Sequence, residues 1–447
     1  MTCSDSKNIR VLLVQPSQKM ILGKKKKFGS IMPPLGILQL AACIRAWCNV
    51  LDVTIFDYEA ASDNEQPNFS NYDIIGISGT SVHMPHAYLL AKEIRRQNVN
   101  ACIVFGGPHA SFDSGKLLKK IPEIDVVIIG EGEYSLTELV NQYTTRDNIP
   151  SIRGCVTRNH NNFQFSQTVS DLNTLPELAY DAIDINNYQL STHRNHLPSP
   201  FVSLITSRGC PYSCDYCQTP KMFGNKMRYR SPELVYNELG KLKALYGIKS
   251  VVFWDDTFTA SRLRTLNMCD YLKKLDLKWM CNTRVECVDK ELLLVMKQAG
   301  CEIIFFGIES FDIETLEDLN RTSREKHVTQ ALQMCKECGI RTVGSLMIGT
   351  PNDDLCRIDS NIERLAELSP DDVYISIFNA VVGSKTYEWA TKTGIIGDID
   401  WTNPSRFRGP PFGLPTVNNI LTRYQLQRAQ RAAYQHFYGK GNETQYE

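Results

Sequence analysis

A chain of 447 residues, 43% hydrophobic and 22% charged, is long enough for two or three domains and has the composition of an ordinary globular protein. Its 49 Lys and Arg balance its 49 Asp and Glu, which excludes a global field that would draw the chain to nucleic acid or to an acidic membrane. Fifteen cysteines are too sparse for a disulfide scaffold and odd in number, so free thiols and a reducing, cytoplasmic setting are expected. At the N-terminus Asp5 and Lys7 precede a short apolar run, Val11 to Val14, which is neither a secretory signal nor a membrane span, and no other apolar run reaches spanning length. The basic run Lys24 to Lys27 reads as a solvated loop.

The first 145 residues alternate short apolar runs with amphipathic stretches. Strands are expected at Val11 to Val14, Val53 to Phe56, Asp73 to Ser78, Ala101 to Phe105 and Val126 to Ile129. Helices are expected at Leu35 to Trp47 and Ala87 to Gln97. Strands alternating with helices at this pitch imply an α/β, doubly wound parallel sheet of Rossmann-like type, whose ligands bind beyond the carboxyl ends of the strands. Three of those ends are made of small or hydroxyl-bearing residues: Ser78-Gly79-Thr80-Ser81, Gly106-Gly107-Pro108-His109 and Gly130-Glu131-Gly132-Glu133. Such turns let a broad ligand or a long polar tail approach the backbone. Residues 146–198 read as a connector with weak strands near Cys155 and Phe163 to Phe165, and a linker at Leu172 to Pro176.

From Phe201 a second alternating series begins, with strands at Val202 to Thr206, Ser250 to Trp254, Trp279 to Asn282, Ile303 to Phe306, Arg341 to Ile348 and Val373 to Phe378. A helix opens at Ser231-Pro232-Glu233, a cap-like serine followed by proline in the first turn. Six βα units spread over 199–392 imply a partial (β/α)6 barrel, with its site on the loops at the strand C-termini. The remaining residues, 393–447, form a short and mainly helical C-terminal region with Arg406 to Pro411 and an amphipathic stretch from Thr422 to Tyr438, either a lid or a packing helix. Substrate specificity would reside in this region and the connector.

Directly after the first barrel strand stands Cys210-Pro211-Tyr212-Ser213-Cys214-Asp215-Tyr216-Cys217. Three thiolates on one short loop can hold three irons of a cubane 4Fe-4S cluster and leave the fourth iron open. The alternative, structural zinc, needs four ligands, and no fourth is obviously placed. A second C-x-x-C, Cys335 and Cys338, reads as the end of a helix stopped at Gly339, with half-buried thiols, rather than as a second cluster. Cys281, Cys287, Cys301 and Cys356 read as core.

The C-x-x-x-C-x-x-C loop with an aromatic before its last cysteine resembles the radical S-adenosylmethionine (SAM) enzymes. The resemblance implies Cys210, Cys214 and Cys217 as cluster and metal ligands, an open iron that chelates SAM, and Tyr216 against adenine. It also places Asp255 or Asp256 at the methionine-binding motif, with a solvent-facing helix start as the alternative. Arg284 pairs with the SAM carboxylate or makes a structural Arg–Glu bridge, Glu309 and Ser310 lie near ribose and methionine, and Ile348 touches the base. The small-residue turns, with Pro33-Pro34-Leu35-Gly36, resemble the cobalamin-binding domain found ahead of many radical SAM domains. That resemblance covers roughly residues 8–145 and implies Ser78, Thr80, Ser81, Gly106, Gly107, Gly130, Glu131 and Gly132 as cofactor contacts. The cobalt-ligating D-x-H-x-x-G signature is missing after strand one, where the chain reads Gln15-Pro16-Ser17-Gln18-Lys19-Met20. His83 and His86 are the nearest histidines to that face, though a surface or helix-start role is the plainer reading.

Taken together, the resemblances imply a cobalamin-dependent radical SAM methyltransferase acting on an unactivated carbon, or on phosphorus. A 5′-deoxyadenosyl radical would activate the substrate and methylcobalamin would supply the methyl group, with 5′-deoxyadenosine and S-adenosylhomocysteine appearing together. A radical cyclase or rrearrangement enzyme, like the anaerobic ring cyclases, is the alternative, and a non-catalytic cobalamin or cluster sensor is a third. The partners implied are a small-molecule or natural-product substrate and a low-potential electron donor such as flavodoxin or ferredoxin, with no nucleic acid and no membrane span.

Overall fold

The computed structural model describes residues 9–18, 30–62, 65–160, 163–190, 196–403 and 416–439. The runs at 24–27 and 406–411 singled out above lie outside the described residues. The chain forms two compact units. One takes in the described residues of Met1–Lys26, Pro34–Tyr188 and Ile399–Phe412; the other takes in those of Lys27–Pro33, Gln189–Asp398 and Gly413–Glu447.

The first unit is built on β1 (Arg10–Gln15), β2 (Asp52–Asp57), β3 (Ile74–Ser78), β4 (Cys102–Gly106), β5 (Val126–Ile128) and β6 (Cys155–Val156), in the order β2-β1-β3-β4-β5-β6. The pairings from β2 to β5 are parallel and β6 joins antiparallel. Continuous apolar runs make these strands because both faces are covered by helices: Val11, Leu12, Leu13 and Val14 are all buried. β1 pairs with β2 on one side and β3 on the other, so the strand order reverses there, the point at which sheets of this kind bind ligands beyond their carboxyl ends.

Helices Leu35–Trp47, Met84–Gln97, Pro108–Lys120 and Gly132–Gln142 complete the layers. The expected connector is in large part structure. Its residues up to Tyr188 belong to the first unit, and Leu172–Thr174 is a single 3-10 turn capped by the Asp171 carboxylate. Val169, Leu172 and Leu175 bury against Cys43, which is why an Asn- and Thr-rich stretch is held in place. Phe163 to Phe165 form no strand.

The second unit carries β7 (Phe201–Leu204), a two-stranded ribbon of β8 (Ser207–Arg208) and β9 (Arg228–Tyr229), and then β10 (Ser250–Phe253), β11 (Lys278–Thr283), β12 (Cys301–Glu309), β13 (Arg341–Ile348) and β14 (Asp372–Ile377). The six long strands lie parallel in chain order, with β7 and β14 at the two edges, so the barrel is partial. The helix Pro232–Tyr246 starts as its sequence requires: the Ser231 hydroxyl accepts the Leu234 N–H, Pro232 fills the first turn, and Gly247 ends it at φ 62°.

Alternation decides which side chains enter the barrel. A Cβ built on Gly344 would meet Leu365 of the outer helix Leu355–Leu368. Leu346 and Ile348 share that outward face, while Ser345 and Met347 point inward. The C-terminal helix Arg423–Tyr438 is a packing helix. The Tyr434 hydroxyl accepts the Ile375 N–H at 3.0 Å, and Gln430 Nε2 donates to the Ile375 carbonyl at 2.8 Å. These bonds occupy the Ile375 N–H and carbonyl on edge strand β14, which would otherwise be open to pairing.

Candidate active site

The loop that follows β7 is held at every turn. Asp255, fully buried, accepts the Thr206 N–H at 3.1 Å, the Thr206 hydroxyl at 2.9 Å and the Ser207 hydroxyl. Gly209 must be glycine: its φ is 94°, and a Cβ would lie 2.7 Å from the Lys226 carbonyl. Asn225 Nδ2 donates to the carbonyls of Cys210 and Tyr212, both at 3.2 Å, and the Asp215 N–H reaches the Leu319 carbonyl at 3.1 Å.

Cys210, Cys214 and Cys217 are free thiols on this braced loop. Each has a neighbour suited to a thiolate. Thr257 Oγ1 is 3.7 Å from Cys210, the Thr219 N–H donates to Cys217 at 3.4 Å, and Arg284 Nη1 donates to Cys214 at 3.4 Å. Arg321 Nη1 stands 3.9 Å from the same sulfur. Burial pushes the Cys210 and Cys217 thiols up, so ligation must displace their protons. Three thiols backed by donors and two guanidinium groups fit an anionic cluster better than a neutral thiol pocket. Among the described residues no three His, Cys, Asp or Glu side chains gather closely enough for a single ion; a cubane spreads its ligands over its corners.

Inside the barrel the Tyr216 hydroxyl donates to Glu309 Oε1 and the Ser345 hydroxyl to Oε2, both at 3.3 Å. Glu309 sits at φ 73°, an uncommon conformation for a non-glycine residue, produced where the β12–β13 register shifts. Burial pushes its carboxyl up. The Tyr216 ring packs edge-on to Phe378 at 6.2 Å.

Several expected contacts are otherwise employed. Asp255 anchors the cysteine loop, which leaves Asp256 as the available carboxylate of the pair. Asp256 accepts the Thr219 hydroxyl at 3.1 Å and is exposed, yet the surrounding protein and then the Asp255 charge push its carboxyl up to about 6. Arg284 makes an Arg–Glu bridge, with Nε at 2.9 Å and Nη2 at 2.5 Å from Glu286 Oε1, and its guanidinium lies 3.7 Å from the Tyr212 ring centre. Ser310 is buried and donates to Asn361 Oδ1 at 3.2 Å, so it closes the strand end rather than facing a ligand. Ile348 faces the helices; Met347 is the inward residue. Arg321 was invisible in sequence because it lies away from any strand end, and only folding brings it to Cys214.

At the carboxyl edge of the first sheet, Ser78 and Ser81 are half-buried and Thr80 is exposed. Gly107 has φ 96°, and a Cβ there would meet the Gly79 carbonyl at 2.9 Å. The Ser111 hydroxyl donates to the Gly107 carbonyl and accepts the Gly130 N–H, both at 3.0 Å, which ties the turns after β4 and β5 together. Gly130, at φ 90°, is buried against Phe165, and Gly132 packs on Leu40. Gly106 differs, since a Cβ built there meets nothing within 4 Å. A glycine that packing does not require, beside open space at a sheet's ligand edge, fits a bulky cofactor such as cobalamin. Glu131 is buried and its carboxylate accepts the Val169 N–H at 2.9 Å, so it holds the connector and not a cofactor.

His83 and His86 are not surface residues. Both are buried at the start of their helix. His83 Nδ1 takes the Thr80 N–H at 3.2 Å and its Nε2 meets Gln15 at 3.2 Å, while His86 Nδ1 accepts the Ser17 N–H at 2.7 Å. Burial lowers both to about 4. His109, at the end of the turn after β4, is also buried and has its Nδ1 2.8 Å from the Ser81 hydroxyl.

The radical SAM superfamily model matches residues 204–365 and the B12 binding domain model matches 25–140. An uncharacterized methyltransferase of Pyrococcus horikoshii is 28% identical over 97% of this chain and 93% of its own length. An anaerobic magnesium-protoporphyrin IX monomethyl ester cyclase of Cereibacter sphaeroides is 28% identical over 61% of this chain and 45% of its own. Among solved structures, the cobalamin-dependent SAM radical enzyme OxsB, with aqua-cobalamin and SAM bound, superposes with a TM-score of 0.74 at 16% identity, covering 96% of this chain and 67% of that one, a likeness of fold.

Proposed function

The chain belongs to the radical SAM superfamily and carries a B12-binding domain ahead of its radical SAM domain, and from that premise we propose that it is a methyltransferase acting on a carbon or phosphorus centre without a nucleophilic lone pair. Its cofactors are a 4Fe-4S cluster, SAM and cobalamin. The carrying observation is the braced three-cysteine loop at the head of a parallel partial barrel, in a chain whose first sheet leaves open space at Gly106. The likeness to the Pyrococcus methyltransferase along nearly the whole chain supports methyl transfer over ring closure.

When bound, the cluster and SAM supply a 5′-deoxyadenosyl radical and cobalamin supplies a methyl group. The residues of the chain do the rest. Cys210, Cys214 and Cys217 hold the iron, and Asp255 keeps their loop in place through Thr206 and Ser207. Asp256 offers a carboxylate to the SAM ammonium. Glu309, held by Tyr216 and Ser345, offers an acceptor to the ribose hydroxyls, and Met347 offers an apolar surface to the base. Ser78, Thr80, Ser81, Gly106 and Gly107 line the cobalamin edge. A low-potential donor of the flavodoxin or ferredoxin kind supplies electrons. The described cysteines, free of disulfides, suit a cytoplasmic setting.

The test is anaerobic reconstitution with iron, sulfide and hydroxocobalamin, followed by turnover with SAM and a reductant. Methyl transfer requires 5′-deoxyadenosine and S-adenosylhomocysteine together. Accumulation of 5′-deoxyadenosine alone would reject it in favour of the cyclase reading, which the Cereibacter relative motivates.

A further inference from the structure

Gln15 ends β1 at the edge where the strand order reverses. Val14 pairs with Ile77 and Ser78 pairs with Gly106, so Gln15, Ser78 and Gly106 stand in one row across β1, β3 and β4. Residues level with one another in a sheet point to the same face, and a Cβ on Gly106 meets nothing within 4 Å. Gln15 therefore belongs to the face that carries the open space. Its surroundings are braced without its side chain: the Gln15 carbonyl accepts the Tyr58 N–H at 3.0 Å, the Ser17 N–H goes to His86 Nδ1 at 2.7 Å, and the Gln18 N–H goes to Glu59 Oε1 at 2.6 Å. The half-buried carboxamide lies 3.2 Å from His83 Nε2, and its other end has no hydrogen bond among the described residues. His83 decides which end that is. Its Nδ1 accepts the Thr80 N–H at 3.2 Å, and a backbone N–H can only donate, so the ring hydrogen sits on Nε2. Nε2 then donates, and the nearer carboxamide receives it through oxygen; Gln18, at 3.4 Å, is farther. The unengaged end of Gln15 is its NH2.

We propose that Gln15 binds cobalamin: His83 holds its carboxamide oxygen, and its NH2 donates to a carbonyl oxygen on one of the carboxamide arms of the corrin ring. His83 is then a positioning residue that acts through Gln15, since a carboxamide whose oxygen is fixed can offer the ligand only donors. The inference rests on the reading of this edge as the cobalamin site.

The test is equilibrium dialysis of the full chain against hydroxocobalamin, beside a thermal melt. Gln15→Glu keeps an oxygen for His83 and puts a second oxygen where the NH2 was. Gln15→Met keeps the length and removes both. A donor to the cofactor predicts that the methionine variant binds about tenfold more weakly than wild type and the glutamate variant about 100-fold, because the ring carbonyl then faces a carboxylate. A residue that serves only the fold predicts the reverse order, with glutamate near wild type, and that order overturns the inference, as do two variants that both bind like wild type. The losses should persist with cobinamide, which keeps the corrin arms and lacks the nucleotide; losses confined to hydroxocobalamin would place the contact on the nucleotide and overturn the inference as stated. If the glutamate variant does not fold, the methionine variant carries the test: it must melt near wild type and lose about tenfold in affinity, and failure at either overturns the inference. A wild-type chain that binds no hydroxocobalamin instead rejects the functional reading beneath it.

Discussion

The two parallel sheets use the same edge for opposite chemistry. At the carboxyl ends of β3 and β4 stand Ser78, Gly79, Gly106 and Gly107, small uncharged residues of which Gly106 borders open space. The buried histidines behind them are pushed toward their neutral form. Beyond β10, β11 and β12 stand Asp256, Arg284 and Glu309, with Arg321 folded in beside them, all charged types and all answered by hydroxyls, carboxylates or thiols. A large cofactor with many amide groups is accommodated by space and backbone, whereas an anionic cluster with a zwitterionic cosubstrate needs charge placed to within an ångström or so. The first edge should accordingly be sensitive to volume and the second to charge.

The largest effect that would break this contrast is at Cys214. Cys214→Ser should remove the cluster's visible absorption and reduce SAM cleavage to background, while cobalamin binding persists; loss of cobalamin as well would deny the two edges their independence. Next comes volume at the first edge. Gly106→Val places atoms in open space, so the melting temperature should hold while cobalamin affinity falls roughly 100-fold. Gly107→Val, at φ 96° and against the Gly79 carbonyl, should destabilise the fold by about 2–3 kcal/mol. Equal behaviour of the two variants in a thermal melt would remove the case for a ligand space at Gly106.

Charge at the second edge follows. Asp256→Asn should weaken SAM binding about tenfold by calorimetry, the size of one charge-assisted hydrogen bond. Asp255→Asn should instead lower the yield of assembled cluster, because it loosens Thr206 and Ser207. Reversed outcomes would exchange the roles of the two aspartates.

A pH dependence remains. His83 and His86, at about 4 in the fold against 6.5 when unfolded, take protons in the unfolded chain first. Stability is therefore full above pH 6.5 and declines as pH falls toward 4, by up to ~2 kcal/mol per histidine by pH 5. Urea midpoints at pH 7.5 and 5 should differ less in a His83→Gln, His86→Gln variant than in wild type.

The strands of both sheets were legible because continuous apolar runs between turn residues admit few alternatives, and β13 falls at Arg341–Ile348 as its pattern implies. The three-cysteine loop was legible because its pattern lies in a spacing of eight residues. What a side chain does once folded was less so. Asp255 and Asp256 are adjacent and chemically identical, yet one is consumed as an anchor and the other is exposed. Ile348 and Met347 fall on opposite faces of one strand, and Glu131 turns to Val169 in the stretch that sequence composition had marked as a connector. Arg321 meets Cys214 across 107 residues of chain. Local pattern determines which residues form strands and which spacing can hold iron, since both depend on near neighbours. Which polar group is spent on the fold and which is left for a ligand depends on hydrogen-bond partners distant in the chain, and only the tertiary structure brings those together.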